Sequence, residues 1–159
     1  MKYTGTEITF AEVPDEITLC INISNCPCHC KGCHSPYLAE DIGEELTEHS
    51  LHKLISSNEG ITCVAFMGGD SNPKEVDRLA DIVQVCYGLK AAWYSGRQEL
   101  SSDINLQWFD FVKLGPYIEE LGPLNSRTTN QRMYKVVYTY YDDGTSGYEL
   151  DDITYKFWK

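Results

Sequence analysis

The chain is poor in basic side chains. Lysine and arginine together number 13, against 24 aspartates and glutamates, which gives a formal net charge of -11 at pH 7. A surface of this sign repels nucleic-acid phosphates and anionic lipid headgroups, because both carry negative charge themselves. We therefore expect no nucleic-acid partner and no membrane association.

Long hydrophobic runs and targeting signals are missing too. The first ten residues, MKYTGTEITF, show no charged leader followed by an apolar stretch, and no segment approaches the roughly 20 apolar residues that span a bilayer. No internal repeat, low-complexity tract or long linker is visible. We expect a cytoplasmic protein in which residues 1–159 form a single domain, because a chain of 159 residues that is 42% hydrophobic can bury its own core.

Hydrophobic periodicity predicts strands and helices that alternate along most of the chain. Buried strands are predicted over 17–23, 61–66 and 90–94, with a fourth inside 108–114. A helix capped by Thr47 is predicted to end near residue 60, and a second is predicted to run from Pro73 to a stop at Gly88. Alternation favours an α/β fold with parallel strands, whose active sites lie at the carboxyl ends of the strands.

The last part of the chain departs from this pattern. Two aromatic-rich runs, 133–141 and 148–158, flank the turn sequence DDGTSG at 142–147. Turn residues between two such runs predict an antiparallel hairpin.

Four of the seven cysteines crowd into the sequence CPCHCKGCH, which begins at Cys26. Such crowding is poor geometry for a disulfide framework and indicates a metal site in a reducing compartment. The spacing Cys26-x3-Cys30-x2-Cys33 supplies three thiolates from one loop, which leaves one iron of a cubane cluster without a protein ligand. Cys28 is out of phase with this spacing and is interpreted as a bystander.

The other three cysteines, Cys20, Cys63 and Cys86, lie in apolar segments and are predicted to be core thiols. Two alternatives to an open cluster stay possible from spacing alone. One is structural zinc, drawing on the four clustered cysteines with His29 or His34, although zinc folds usually bring a second ligand pair from elsewhere in the chain. The other is a ferredoxin-type electron carrier, which would want a fourth cysteine ligand.

The motif C-x3-C-x2-C after a first strand resembles the signature of the radical S-adenosylmethionine superfamily. Three further segments resemble one branch, the activating enzymes of anaerobic ribonucleotide reductase. They are Met67-Gly68-Gly69-Asp70, Trp93-Tyr94-Ser95-Gly96, and the run from Gly115-Pro116-Tyr117 through Leu121 to Asn130-Gln131-Arg132-Met133-Tyr134. The resemblance extends over about residues 15–135, and it is the combination of motifs at this short length that indicates the activase branch.

The resemblance implies a partial, open-sided (βα) barrel of mostly parallel strands, followed by the C-terminal antiparallel hairpin. It implies one [4Fe-4S] cluster on Cys26, Cys30 and Cys33, with S-adenosyl-L-methionine bound at the open iron. The cofactor-binding residues that it implies are Gly68, Gly69 and Asp70 at the methionine amino end, Ser95 on the pocket wall, and His34 beside the last cysteine.

The implied activity is reductive cleavage of S-adenosylmethionine to a 5'-deoxyadenosyl radical, which installs a glycyl radical on anaerobic ribonucleotide reductase. A reductant such as flavodoxin or ferredoxin would supply the electron. The rival interpretations are a short radical enzyme that acts on a small molecule or on a different glycyl radical enzyme, and a non-catalytic zinc-binding interaction module.

Two positions depart from the family pattern. Gly32 stands where many members of the superfamily carry an aromatic residue near the adenine, and Leu114 stands where many relatives carry an aspartate. Neither role can be transferred to this chain. Asn130-Gln131-Arg132 matches the family closely, but as an exposed polar loop it suggests no chemistry.

Overall fold

The structure is a computed structural model that describes residues 1–158. These residues form one eight-stranded sheet and two α-helices, with three short 3-10 turns at Pro36–Ala39, Leu106–Trp108 and Thr154–Phe157. The strands are β1 (Lys2–Thr9), β2 (Thr18–Ile23), β3 (Glu44–Glu45), β4 (Cys63–Met67), β5 (Lys90–Tyr94), β6 (Phe111–Leu114), β7 (Arg132–Tyr140) and β8 (Ser146–Asp152). The helices are α1 (Glu48–Ser56) and α2 (Pro73–Tyr87).

The sheet has a parallel centre and antiparallel flanks. Its order is β3-β1-β2-β4-β5-β6-β7-β8, and the three pairings that join β2, β4, β5 and β6 are parallel. The other four pairings described for residues 1–158 are antiparallel. The expectation of mostly parallel strands is therefore correct for the centre and wrong for the sheet as a whole. The α/β class and the C-terminal hairpin are confirmed.

Both helices begin and end at the signals that the sequence carries. The Thr47 side chain caps α1 by accepting a hydrogen bond from the Ser50 backbone N–H at 3.2 Å, and Ser50 bonds back to the Thr47 N–H. Pro73 opens α2 after the Asn72 cap, and Gly88 ends it in the left-handed conformation with a φ of 63°. Neither helix within residues 1–158 is long and apolar enough to cross a membrane.

The sheet separates two hydrophobic layers. On one face, Leu19 and Ile21 of β2 pack with Leu51 of α1 and Leu79 of α2. The opposite face carries the small side chains Cys20, Cys63, Ala65 and Ala92, together with Val13, Met133 and Ile153. Both faces of the sheet are therefore covered, the second one by side chains from the loops and the C-terminal segment.

One sequence prediction about α2 is wrong: Cys86, expected in the core, is exposed. The buried residues of the helix are Val76, Leu79, Ala80 and Val83, and the partly buried Tyr87 packs with them. Cys86 lies at the edge of this face, in the last turn of α2, where its side chain is exposed.

Candidate functional site

A cavity of about 800 Å³ opens at the carboxyl ends of the parallel strands. The segments that follow β2, β4, β5 and β6 all contribute to its wall, as parallel topology requires. The lining includes the clustered cysteines, the Gly68–Asp70 turn, the Ser95-Gly96 turn, and Lys113 with Gly115. Segments far apart in the sequence thus meet in one place.

The cysteine loop lies directly after β2 and is tied down at both ends. The Cys26 backbone N–H donates to Leu38 O at 2.8 Å, and the Asn25 N–H donates to Glu40 O at 2.9 Å. At the far end, the Ser35 backbone N–H donates to Cys33 Sγ at 3.4 Å. Cys26, Cys28, Cys30 and Cys33 are all free, half-buried thiols that line the cavity.

The thiols of this loop are the ligand type that iron-sulfur clusters take. The ligands of a single zinc must all lie about 2.0–2.3 Å from one point, whereas the thiolates of a cubane bind separate irons. Three thiols spread round one cavity wall are therefore compatible with a [4Fe-4S] cluster.

Asp70 is a buried carboxylate at the centre of the site. Asp70 is only 4% exposed. Both of its carboxylate oxygens accept hydrogen bonds. Ser95 Oγ donates to Oδ1 at 2.5 Å, the Gly96 backbone N–H donates to Oδ2 at 3.0 Å, and Cys28 Sγ lies 3.7 Å from Oδ2. A carboxylate offers about four acceptor positions, so one remains for a ligand in the cavity.

The glycines before Asp70 are required by the turn that carries it. Gly68 and Gly69 have φ angles of 105° and 93°, a region that L side chains rarely adopt. A Cβ at Gly69 would lie 2.5 Å from Val76 Cγ2, and one at Gly68 would lie 3.1 Å from Ile23 O. The Trp93 indole N–H fixes the turn further by donating to Gly68 O at 2.8 Å.

Ser95 and His34, the remaining predicted pocket residues, also line the cavity. Ser95 is 1% exposed and lies behind Asp70, where its hydroxyl is directed to the carboxylate. His34 is exposed at the rim, and its ring packs edge-on against Tyr117 with the centroids 5.3 Å apart. All the predicted site residues except Gly69 therefore border the same cavity, and Gly69 packs against Val76 behind it.

Cys28 lies close to the Asp70 carboxylate as well as to its neighbours in the loop. Burial raises the pKa of the Cys28 thiol to about 12, and the Asp70 carboxylate adds to the shift. In the cluster-free protein this thiol is therefore protonated at neutral pH and can donate to Asp70.

Two functional candidates were not found from the sequence. Lys113 is 8% exposed and borders the cavity, and its ammonium donates to Gly115 O at 2.7 Å. Gln131 is 7% exposed and donates to the same carbonyl at 3.4 Å, so the segment expected to be an exposed polar loop is partly buried against the cavity. The sequence does carry a signal for Lys113. Successive side chains of a strand point to opposite faces, so Lys113 lies on the face of β6 opposite to Val112 and Leu114.

Tyr117 compensates for the small residue at position 32. A Cβ at Gly32 would lie 3.4 Å from Tyr117 Cε1, so the ring already covers this position. Tyr117 also lines the cavity beside His34. The aromatic surface that Gly32 lacks is thus present from another part of the chain.

A family model described as a 4Fe-4S single cluster domain matches residues 17–134, from β2 to β7. No curated protein and no solved structure matches the chain.

The ligand assignment predicts a clear ranking among cysteine variants. Anaerobically purified protein should hold about four irons and four sulfides per chain, and Cys26→Ala, Cys30→Ala or Cys33→Ala should each abolish the cluster. Cys28→Ala should retain most of it. Iron and sulfide analysis measures this, and stoichiometric zinc without sulfide, or equal damage from Cys28→Ala, would contradict the assignment.

We predict that replacing the buried Lys113 by an apolar residue stabilises the fold. Burial lowers the pKa of Lys113 from 10.5 to about 8. Between those pH values the unfolded chain binds more protons, so stability rises with pH, and below pH 8 the buried charge destabilises the fold. Lys113→Met should therefore raise the free energy of unfolding of the cluster-free protein at pH 7 by roughly 2 kcal/mol.

The gain should shrink as the pH approaches 10.5, and the exposed Lys135→Met should show none. Urea denaturation at pH 7 and pH 10 measures both. An unchanged midpoint for Lys113→Met at pH 7 would mean that the ammonium is solvated in the folded protein.

Proposed function

Because the chain belongs to the family of 4Fe-4S single cluster domains, we propose that it is a radical S-adenosylmethionine activase that installs a glycyl radical on an anaerobic ribonucleotide reductase. One observation carries the proposal. The cysteine loop, the Gly68–Asp70 turn, the Ser95-Gly96 turn and the segment after Gly115, which resemble that branch in sequence, all border a single cavity.

The chain's own residues supply the cavity with groups for a cluster and, beside it, for a ligand. Cys26, Cys30 and Cys33 would hold the cluster, and their half-buried loop limits its contact with solvent. Next to this loop, the free acceptor position of Asp70 suits an ammonium group, such as the amino group of a methionine moiety. Gly68, which lines the cavity, lets backbone approach the same ligand closely.

Two further side chains fit other parts of S-adenosylmethionine. The Lys113 ammonium has three donors, of which one binds Gly115 O, so the others remain for a carboxylate. Tyr117 and His34 offer ring surface at the rim for an adenine. We also propose that the sheet curves round this ligand as an open-sided barrel.

When bound, the reduced cluster supplies one electron that breaks the sulfonium bond, giving methionine and a 5'-deoxyadenosyl radical that takes a hydrogen atom from a glycine of the partner. A flavodoxin- or ferredoxin-type reductant would deliver that electron. The protein residues bind and orient the ligand and keep water from it. Glu7 and Glu12 also line the cavity, so the incoming partner segment meets negative charge there.

The charge of the chain sets a condition on the partner. With a net charge of -11, the protein should associate best with a neutral or basic surface around the radical glycine. Added salt should then slow association, because it screens the attraction.

We expect Asp70→Asn to weaken S-adenosylmethionine binding by about tenfold or more while the iron content stays unchanged. A buried carboxylate that pairs with an ammonium contributes affinity through its charge, and the amide keeps its volume. Anaerobic titration followed by electron paramagnetic resonance measures the affinity. The exposed Asp151→Asn is the control, and unchanged affinity in Asp70→Asn would reduce the Gly68–Asp70 segment to a structural turn.

The proposed function is tested by whether a glycyl radical forms on the partner protein. With the host's anaerobic ribonucleotide reductase present, reduced protein should produce a glycyl radical doublet on the partner. Replacing the radical glycine of the partner by alanine should remove the doublet while the cluster signal of this protein stays.

Cleavage of S-adenosylmethionine without a partner radical would favour a small-molecule substrate or another glycyl radical enzyme. A colourless protein that is indifferent to S-adenosylmethionine would favour the zinc module.

A further inference from the structure

Cys28 makes contacts that its position between two motif cysteines does not explain. Its Sγ lies 3.7 Å from Asp70 Oδ2, although the two residues are 42 positions apart. The thiol, which also lies near the Cys26 side chain, therefore reaches the turn that follows β4.

Asp70 in turn joins Cys28 to a third loop. Its carboxylate accepts from Ser95 Oγ at 2.5 Å and from the Gly96 N–H at 3.0 Å. Three loops, after β2, β4 and β5, thus meet at one buried carboxylate. Burial makes these hydrogen bonds stronger than exposed ones, because water does not compete for the same acceptor.

Packing fixes the same junction. A Cβ at Gly96 would lie 2.6 Å from Cys28 Sγ and 3.0 Å from Cys28 Cβ. The φ of Gly96 lies outside the left-handed region, so its backbone would tolerate alanine. Cys28 Sγ and Cβ are the only atoms that a Cβ at position 96 would approach to 3.0 Å or less. The side chain of Cys28 is therefore what requires glycine at position 96.

We propose that Cys28 is a positioning residue that locks the cysteine loop to the β4 and β5 turns through Asp70 and Gly96. Cys28 lies between Cys26 and Cys30 in the chain. In this role it fixes how far the thiols of those two residues lie from the ligand position beside Asp70. The proposal rests on the proposed function only in naming that ligand as S-adenosylmethionine. The lock itself exists without it.

The lock predicts a specific defect rather than loss of the cluster. In Cys28→Ala, most of the cluster should still form, but the affinity of the cluster-loaded protein for S-adenosylmethionine should fall about tenfold. The change that the ligand induces in the electron paramagnetic resonance spectrum of the reduced cluster should be altered as well. Cys86→Ala, which removes an exposed cysteine on α2, is the matched control and should behave like the parent protein.

A double-mutant cycle tests the contact directly. Gly96→Ala should weaken binding in the parent protein, because the new methyl group meets Cys28 Sγ, and should do much less harm in the Cys28→Ala background. Gly5→Ala, where an added Cβ meets nothing within 4 Å, controls for the loss of a glycine. Additive effects of the two substitutions would show that they do not touch, which would overturn the proposal.

Hydrogen exchange of the cluster-loaded protein separates this proposal from the proposed function. Cys28→Ala should accelerate exchange in residues 26–33 and at the Gly96 amide, which donates to Asp70. If the parent protein ignores S-adenosylmethionine but this acceleration is present, the proposed function fails and the lock stands. Exchange equal to the parent's, or iron loss as severe as in Cys30→Ala, overturns the lock.

Discussion

The site depends on one buried carboxylate. Asp70 is almost fully excluded from solvent, and an ionised carboxylate in that position is tolerated only because hydrogen-bond donors surround it. Those donors come from the turn after β5 and from the cysteine loop, so the requirement to satisfy Asp70 also fixes where the loops lie. Gly69 and Gly96 contribute by leaving out side chains that would collide with Val76 and Cys28. Hydrogen bonding and close packing therefore act at the same junction.

The sheet places this junction where ligands can reach it. Parallel pairing of β2, β4, β5 and β6 brings four loops to one edge, while helices cover the opposite face through large side chains. On the second face, Cys20, Ala65 and Ala92 pack with Val13 and Met133. Lys113 also lies on this face, where burial disfavours its ammonium and lowers its pKa to about 8.

Local signals in the sequence predicted much of this arrangement. The Thr47 cap, Pro73 and Gly88 act within one helical turn of themselves, so both helices could be predicted from the sequence. β1 could not, because Lys2–Thr9 has no buried stripe and is held by pairing with β2 and β3. The contact between Cys28 and Asp70 was likewise invisible, since it joins residues that are distant in the chain. Cys86 has helical spacing to Leu79 and Val83, but it lies in the last turn of α2 and is exposed, which periodicity alone does not reveal.

A cluster held by Cys26, Cys30 and Cys33 would leave one iron that no cysteine binds, open to a ligand beside Asp70. Mössbauer spectroscopy of the iron-57-labelled protein tests this most directly. We predict that one iron in four changes its isomer shift when S-adenosylmethionine is added, while the three bound by Cys26, Cys30 and Cys33 keep theirs. Four irons that stay equivalent and unchanged on addition of the ligand would contradict the account.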